Sequence, residues 1–400
     1  MSRTLESVSR LRSRMGGGIV VLTAFDLVQQ SRDGAGPFLQ EANFYWVTGI
    51  DEPGWKCIIT GDFFYLVSPE KDAVHQVFEG GMDTEEALRT SGADRVLSAE
   101  EGDALLKKLS LQHDAVFTLG EDPHAEHYNF TLNPAPRLLH EKLRGIFTRV
   151  EDCRLVLSKL RAIKTNEEIG LIRKAIAYTQ SAFLSVRSGM ANGTFSYEYE
   201  IEAQFIYEMR RQGVNGHAYE PIVAGATNAL TLHYSQNSQP LPKDGLVLMD
   251  VGARVGGYAA DITRTYPIGK PSERERAVHA AVEEAHYRII ALIKPGVSLR
   301  EYQDMSDDIM KDALQGLGLL EDRSDTETYR KYFPHAISHG LGIDVHESLA
   351  GYESFRPGMV LTVEPGIYIP DEGIGVRIED DILVTTEGNE NLSRNLPAAL

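Results

Sequence analysis

Four hundred residues, a hydrophobic fraction of 42% and a formal charge of −18 at pH 7 describe a chain with room for two or three domains and an ample core. The acidic balance, with no basic stripe to offset it, argues against nucleic acid as a partner, and the longest early apolar run, residues 19–25, is far too short to span a bilayer. Although Arg3, Arg10 and Arg12 precede that run, no small-residue cleavage site follows it, and two cysteines, Cys57 and Cys153, cannot build a disulfide framework; the expected compartment is the cytoplasm.

Residues 1–160 are expected to form an α/β domain. Strand candidates at 19–25, 43–50, 56–60 and 63–68 alternate with helical stretches such as 100–109, and Gly61-Asp62 has the form of a hairpin turn. The sequence holds no G-x-S-x-G elbow, Walker loop or dinucleotide fingerprint. His124 and His127 have a spacing that zinc sites use, but Pro123 and polar neighbours point to a surface loop.

Residues 161–400 form the second expected domain and read as a duplicated unit of two helices and two strands. Thr165-Asn166-Glu167-Glu168 has capping-box form and opens a helix whose apolar face includes Ile169, Ile172, Ile176 and Phe183. Ser196 is the expected cap of the next helix, which carries Ile201, Phe205 and Met209. In the second copy Ser272-Glu273-Arg274-Glu275 and Ser298-Leu299-Arg300-Glu301 repeat the capping pattern, with Pro295-Gly296 closing the first of those helices.

Each pair of helices precedes a hairpin. Residues 246–251 and 258–267 read as strands around the turn Arg254-Val255-Gly256-Gly257. Closure about the bond between Val255 and Gly256 would set Asp250 directly opposite Asp261, with Cβ atoms roughly 4.5–5.5 Å apart. Residues 358–369 and 375–385 repeat the design and supply Glu364 and Glu379. Two pseudo-symmetric halves would bring the hairpins together with helices packed outside the curved sheet. Four carboxylates and the imidazole of His339 at one point would repel strongly unless cations sat among them, so the chain is expected to hold two divalent metals.

Three histidines, His335, His339 and His346, stand among Pro334, Gly340 and Gly342. The glycines argue against a long helix and hence against the helical H-E-x-x-H arrangement, and they let backbone approach a site closely. His233, shortly before the first hairpin, is a fourth candidate. Arg377 lies two residues before Glu379, on the same strand face, where it could support the carboxylates.

Taken together, D-x10-D, H-G-L-G-I-D-V-H, V-E-P-G and R-I-E-D-D closely resemble the metal-dependent peptidases of the pita-bread fold, in particular the Xaa-Pro dipeptidase (prolidase) and aminopeptidase P branch. The resemblance covers residues from about 165 to 392, and residues 38–55 resemble the N-terminal domain that both groups share. It implies an α/β (α+β) chain in which an N-terminal α/β domain precedes a pseudo-two-fold catalytic domain. Asp250 would chelate one metal, Asp261 and Glu379 would bridge both, and His339 and Glu364 would complete the other. The oxygen-rich set favours Mn²⁺, with Zn²⁺ and Co²⁺ as alternatives. Glu364 would carry a proton to the proline nitrogen, His346 and His233 would bind substrate or stabilise the tetrahedral intermediate, and His335 would line the proline pocket. The chain departs from aminopeptidases P at Asn43, where they carry an aspartate.

The resulting expectation is hydrolysis of Xaa-Pro bonds by a cytoplasmic homodimer, with a dipeptidase placed ahead of an aminopeptidase P acting on longer peptides. A catalytically inactive binding protein of this fold, or a metal-free creatinase-like hydrolase, is disfavoured because all five ligand positions are filled. A dipeptidase must grip the free carboxylate of its proline, and Arg356 is the candidate for that grip.

Overall fold

The structure is a computed structural model that describes residues 2–70, 73–120, 122, 130–214 and 216–400. His124 and His127 lie outside the described residues. Two compact units divide the chain, Met1–Arg161 and Ala162–Leu400.

The first unit is built on a six-stranded mixed sheet. Its strands are β1 (Ile19–Thr23), β2 (Lys56–Ile59), β3 (Phe64–Val67), β4 (Arg95–Leu97), β5 (Ala115–Thr118) and β6 (Arg149–Asp152), in the order β4-β3-β2-β1-β5-β6. β1, β2 and β3 pair antiparallel, and the other neighbours run parallel. Ile19, Val21, Ile58, Val116, Leu139 and Leu143 form its core.

Residues 43–50, expected as a strand because of their aromatic and β-branched side chains, form the helix Ala42–Thr48 instead. Local capping overrides strand propensity here. The Glu41 carboxylate accepts from Phe44 N at 2.6 Å, Gly49 closes the helix at φ 68°, and Phe44, Trp46 and Val47 are fully buried. Asn43, the departure noted above, accepts from Arg161 Nη1 at 2.8 Å and donates to Glu41 at 2.8 Å.

In the second unit the described strands pair antiparallel throughout. They are β7 (Ile222–Gly225), β8 (Gly245–Val251), β9 (Arg254–Val255), β10 (Tyr258–Ala259), β11 (Ile262–Ile268), β12 (Val360–Val363), β13 (Gly366–Ile369), β14 (Ile374–Arg377), β15 (Asp380–Val384) and β16 (Asn389–Asn391). Helices Glu273–Ile290 and Leu299–Gly316 bury Val278, Val282, Ile289, Ile309 and Met310 against Val363, Ile367, Val376 and Ile382. Helices Asn166–Ala191 and Glu198–Arg210 pack together through Phe183 and Phe205, whose rings meet edge-on at 4.8 Å.

Thr165 and Ser272 head full capping boxes. Ser196 does not cap its helix, which begins one residue later than expected with Tyr197 at the N-cap. The Glu200 carboxylate accepts the backbone N–H of both Ser196 and Tyr197, and the Ser196 carbonyl is taken by Leu241. The helix expected to end at Pro295-Gly296 already stops at Ile290.

Candidate metal centre

The first hairpin closes over Gly256-Gly257, not over Val255-Gly256. Both glycines have positive φ, 54° and 83°, as a tight two-residue hairpin turn requires, and closure one residue earlier would have forced the β-branched Val255 into that region. Val255 therefore pairs with Tyr258, and Asp250 pairs with Thr263. The direct opposition expected for Asp250 and Asp261 does not occur. A shift of two residues keeps both on one face, so the aspartates are diagonal neighbours. Gly252 stands where the ladder is interrupted, and a Cβ there would meet the Ala260 carbonyl oxygen at 1.8 Å.

In the second hairpin Val363 pairs with Asp380 and Gly366 with Arg377, one register on both sides of a gap. Glu364 and Glu379 are opposite one another in that gap. Their amides bond elsewhere: Glu364 N to Ile337 O and Glu379 N to Thr263 O, each at 3.0 Å. The second of these bonds ties one hairpin to the other. Residues 337–341 run antiparallel beside β12 through Glu364 N–Ile337 O, Thr362 N–His339 O and Leu341 N–Val360 O, which delivers His339 beside Glu364.

Carboxylate oxygens of Asp250, Asp261 and Glu379 all lie within 4.8 Å of one another, as do ligand atoms of His339, Glu364 and Glu379, and of Asp261, His339 and His346. Glu379 belongs to the first two groups and Asp261 to the first and third. Burial, then the charges of Asp250 and Asp381, pushes the Asp261 carboxyl far above its ordinary range, and burial with Asp261 and Glu364 does the same to Glu379. Glu364 is raised to about 8, again chiefly by burial. Without cations this site would hold protons. An oxygen-rich set with one imidazole fits divalent cations that prefer hard ligands.

The His339 Nδ1 is 3.0 Å from the Gly340 carbonyl oxygen, an acceptor, so that nitrogen carries the ring proton and Nε2 presents its lone pair. That Nε2 is 3.5 Å from both Asp261 Oδ2 and Glu364 Oε1. Burial lowers the His339 pKa to about 4, which keeps the lone pair available. The His346 ring meets the His339 ring at 4.4 Å, and His335 lies 3.5 Å from Glu364 Oε2 and 3.0 Å from the Tyr368 hydroxyl. His233 and His346 line a cavity of about 350 Å³ together with Tyr219, Ile222, Asp250 and Asp261.

Arg377 donates to Asp250 Oδ2 at 2.6 Å, to Thr263 Oγ1 at 3.1 Å and to the Tyr368 hydroxyl at 3.0 Å. Burial opposes its charge, but Tyr368, Asp250 and Glu379 outweigh burial and raise its pKa further. Two partners of the carboxylates, and a tyrosine behind Arg377, were not foreseen from the sequence. The Tyr219 hydroxyl lies 2.6 Å from Asp250 and 2.5 Å from Asp261, Thr263 donates to Glu379 at 2.7 Å, and Tyr368 joins Arg377 to His335. Tyr219 is 31 residues from Asp250 in a segment without a motif, so no local pattern could have found it. Arg356 is exposed, with its guanidinium 5.8 Å from the Tyr352 ring centroid.

Residues 170–386 match the profile of metallopeptidase family M24, and residues 5–117 match the aminopeptidase P N-terminal domain. The chain belongs to family M24. It is 33% identical to the Xaa-Pro aminopeptidase of Escherichia coli strain K12 over 95% of this chain and 91% of that protein. Identity to human Xaa-Pro aminopeptidase 3 is 31%, over 94% of this chain and 78% of the other. The solved structure of proline aminopeptidase P II from Yersinia pestis superposes with a TM-score of 0.85 at 30% identity, covering 99% and 97% of the two chains. The M24 chain is thus a metallopeptidase of the pita-bread fold in the aminopeptidase P branch, and membership implies divalent metal ions. These relatives reverse the order expected from the sequence, which had placed a dipeptidase first.

Proposed function

We propose that this M24 enzyme is an aminopeptidase P, releasing the residue that precedes proline from the N-terminus of peptides longer than two residues. The observation that carries the reading is the pair of ligand groups sharing Glu379 at a cavity lined by His233 and His346, in a chain whose near-full-length relatives are named Xaa-Pro aminopeptidases. Asp250, Asp261, His339, Glu364 and Glu379 would hold two divalent cations, Mn²⁺ by preference, whose chemistry here is to polarise the scissile carbonyl and to acidify water.

The remaining steps belong to the chain's own side chains. Hydrolysis adds water to the carbonyl carbon and breaks its bond to the proline nitrogen, which is tertiary, has no hydrogen and must gain a proton to leave as an amine. Glu364, beside His335 and His339, is the carboxylate assigned that transfer. His233 and His346, exposed on the cavity wall, are placed to contact the peptide and the oxyanion. His335, held by Tyr368, offers a flat wall for the proline ring. Arg377 fixes Asp250 and spreads the charge of the carboxylates.

The same reading places the enzyme in the cytoplasm as a homodimer. Cys57 and Cys153 are both free thiols, as a reducing compartment favours, and among the described residues no helix is long and apolar enough to cross a membrane. An aminopeptidase leaves the substrate's C-terminal end open, so no carboxylate grip by Arg356 is required. With added Mn²⁺, kcat/KM for Ala-Pro-Ala is expected to exceed that for Ala-Pro by at least about tenfold, on the order of 1.4 kcal/mol. Equal or faster cleavage of Ala-Pro would restore the dipeptidase.

A further inference from the structure

Glu198 is a fully buried acid that the proposed reaction does not use. Among the described residues it forms no ion pair. Its carboxylate is satisfied by four donors: Gly225 N at 2.9 Å and Asn228 Nδ2 at 2.7 Å on Oε1, and the Tyr234 hydroxyl at 2.8 Å and Gln239 N at 3.0 Å on Oε2. Gly225 is the last residue of β7, and the other three donors come from the connection that leads from it to β8. His233 stands in that connection, next to Tyr234, and faces the cavity with Asp250, Asp261 and His346.

The connection does not hold its shape through regular structure. After a short 3-10 turn, Ala226–Leu230, it runs without helix or strand to β8, and it contains two non-glycine residues at positive φ, Ala226 at 48° and Asn237 at 45°. Such conformations persist only where the surroundings enforce them. Asn237 supplies a second tie, accepting from Val223 N at 2.9 Å and donating to Glu202 at 3.0 Å, and Glu202 lies one helical turn beyond Glu198. Helix Glu198–Arg210 therefore offers the connection two carboxylates on one face. A buried acceptor is costly when its hydrogen bonds are lost, so four donors that converge on Glu198 hold their segment to it.

We infer that Glu198 is a positioning residue, a template whose carboxylate folds residues 225–239 and so sets His233 against the metal ligands. This rests on the reading that His233 serves the peptidase reaction. Glu198→Gln keeps the shape but turns one acceptor into a donor facing N–H or O–H groups. In the Mn²⁺-loaded full-length enzyme, amide hydrogen exchange is expected to accelerate at least tenfold within 225–239 and to stay unchanged elsewhere, with metal content retained. kcat/KM for Ala-Pro-Ala should fall at least tenfold, and that loss should vanish when Glu198→Gln is made in a His233→Ala background.

Unchanged exchange in the connection overturns the template, as does an equal loss of activity in both backgrounds. If His233→Ala alone is fully active, the role of His233 in the proposed reaction fails, and the exchange pattern still decides the template. Should Glu198→Gln not fold, Tyr234→Phe removes one donor beside His233. It should give the same local acceleration at smaller size, and wild-type exchange in that variant overturns the inference.

Discussion

Glu364 and Glu379 face each other across a broken ladder, yet their surroundings assign them different work. Glu379 belongs to both ligand groups and takes a hydrogen bond from Thr263, whereas Glu364 is the carboxyl beside His335 and His339. Glu379→Gln is expected to weaken metal binding, with activity returning toward wild type at high Mn²⁺. Glu364→Gln is expected to lower kcat at least a hundredfold even when metal is saturating, and full recovery of turnover there would remove the proton-transfer role. The raised pKa values of Asp261, Glu379 and Glu364 also predict how metal-free protein responds to pH. Each group binds its proton more tightly folded than unfolded, so each contributes stability that is lost as pH rises from the unfolded carboxylate range through the folded value, about 8 for Glu364. His279 and His286 act oppositely: burial lowers both to about 4, and their contribution is lost as pH falls below their unfolded value. Above pH 7 the histidine effect is spent, and the buried thiols of Cys57 and Cys153, raised to about 12, begin to act in the same direction as the carboxylates, so recovery on adding Mn²⁺ is what isolates the carboxylate part. The Tm of chelator-treated protein should fall between pH 7 and 9, and Mn²⁺ should restore it while releasing protons measurable by calorimetry in buffers of different ionisation heat; a flat Tm would mean that the carboxylates are compensated by other means.

At the scale of elements, the proposed metal centre depends on where two hairpins stop being regular. Pairing lapses beside Gly252 in one and at Glu364 and Glu379 in the other, and the freed amides reach across to neighbouring segments. Gly252 allows the Ala260 carbonyl to lie where a side chain would be, next to Asp261. Gly252→Ala should therefore destabilise the protein by about 1–3 kcal/mol and reduce metal stoichiometry at the same time, read from thermal melting and metal analysis. An alanine variant with wild-type melting and two bound metals would show that this approach is not needed. A comparable constraint governs the histidine segment. Glu347, buried against Lys164, packs so closely on Gly340 and Gly342 that a Cβ at either would meet it within 2.5 Å, which gives the partner for the close approach that these glycines allow.

At the scale of the molecule, every group in the proposed metal set lies in the unit Ala162–Leu400, together with a core of its own. A fragment of residues 162–400 is expected to melt cooperatively and to bind two Mn²⁺ with the stoichiometry of the full chain. A fragment that binds no metal would mean that the first unit is needed to form the ligand arrangement. The formal charge of −18 bears on the same centre, because two divalent cations would remove about four of those charges at their point of highest density.

Much of this protein was written locally. Capping boxes at Thr165 and Ser272, the glycine pair at 256 and 257, the repeated hairpins and the spacing of acids and histidines depend on residues close together in the chain, where φ preferences and short hydrogen bonds operate without help from the fold. Those features suffice to read a duplicated unit and a carboxylate cluster. Register of the first hairpin was also decided at that range: a one-residue error in the turn moves each partner by two, and the demand for positive φ at both turn positions, met by Gly256-Gly257 and not by Val255-Gly256, distinguishes the alternatives. The aromatic segment at 43–50 became a helix because its caps and buried face outweighed strand propensity. Tyr219, Thr263, Tyr368 and Glu198 gained their places from contacts that tertiary packing brings together, several between segments tens of residues or more apart. A hydroxyl or carboxylate has no pattern of its own in a sequence; it becomes part of a site only when folding removes water and leaves a particular partner within hydrogen-bonding reach.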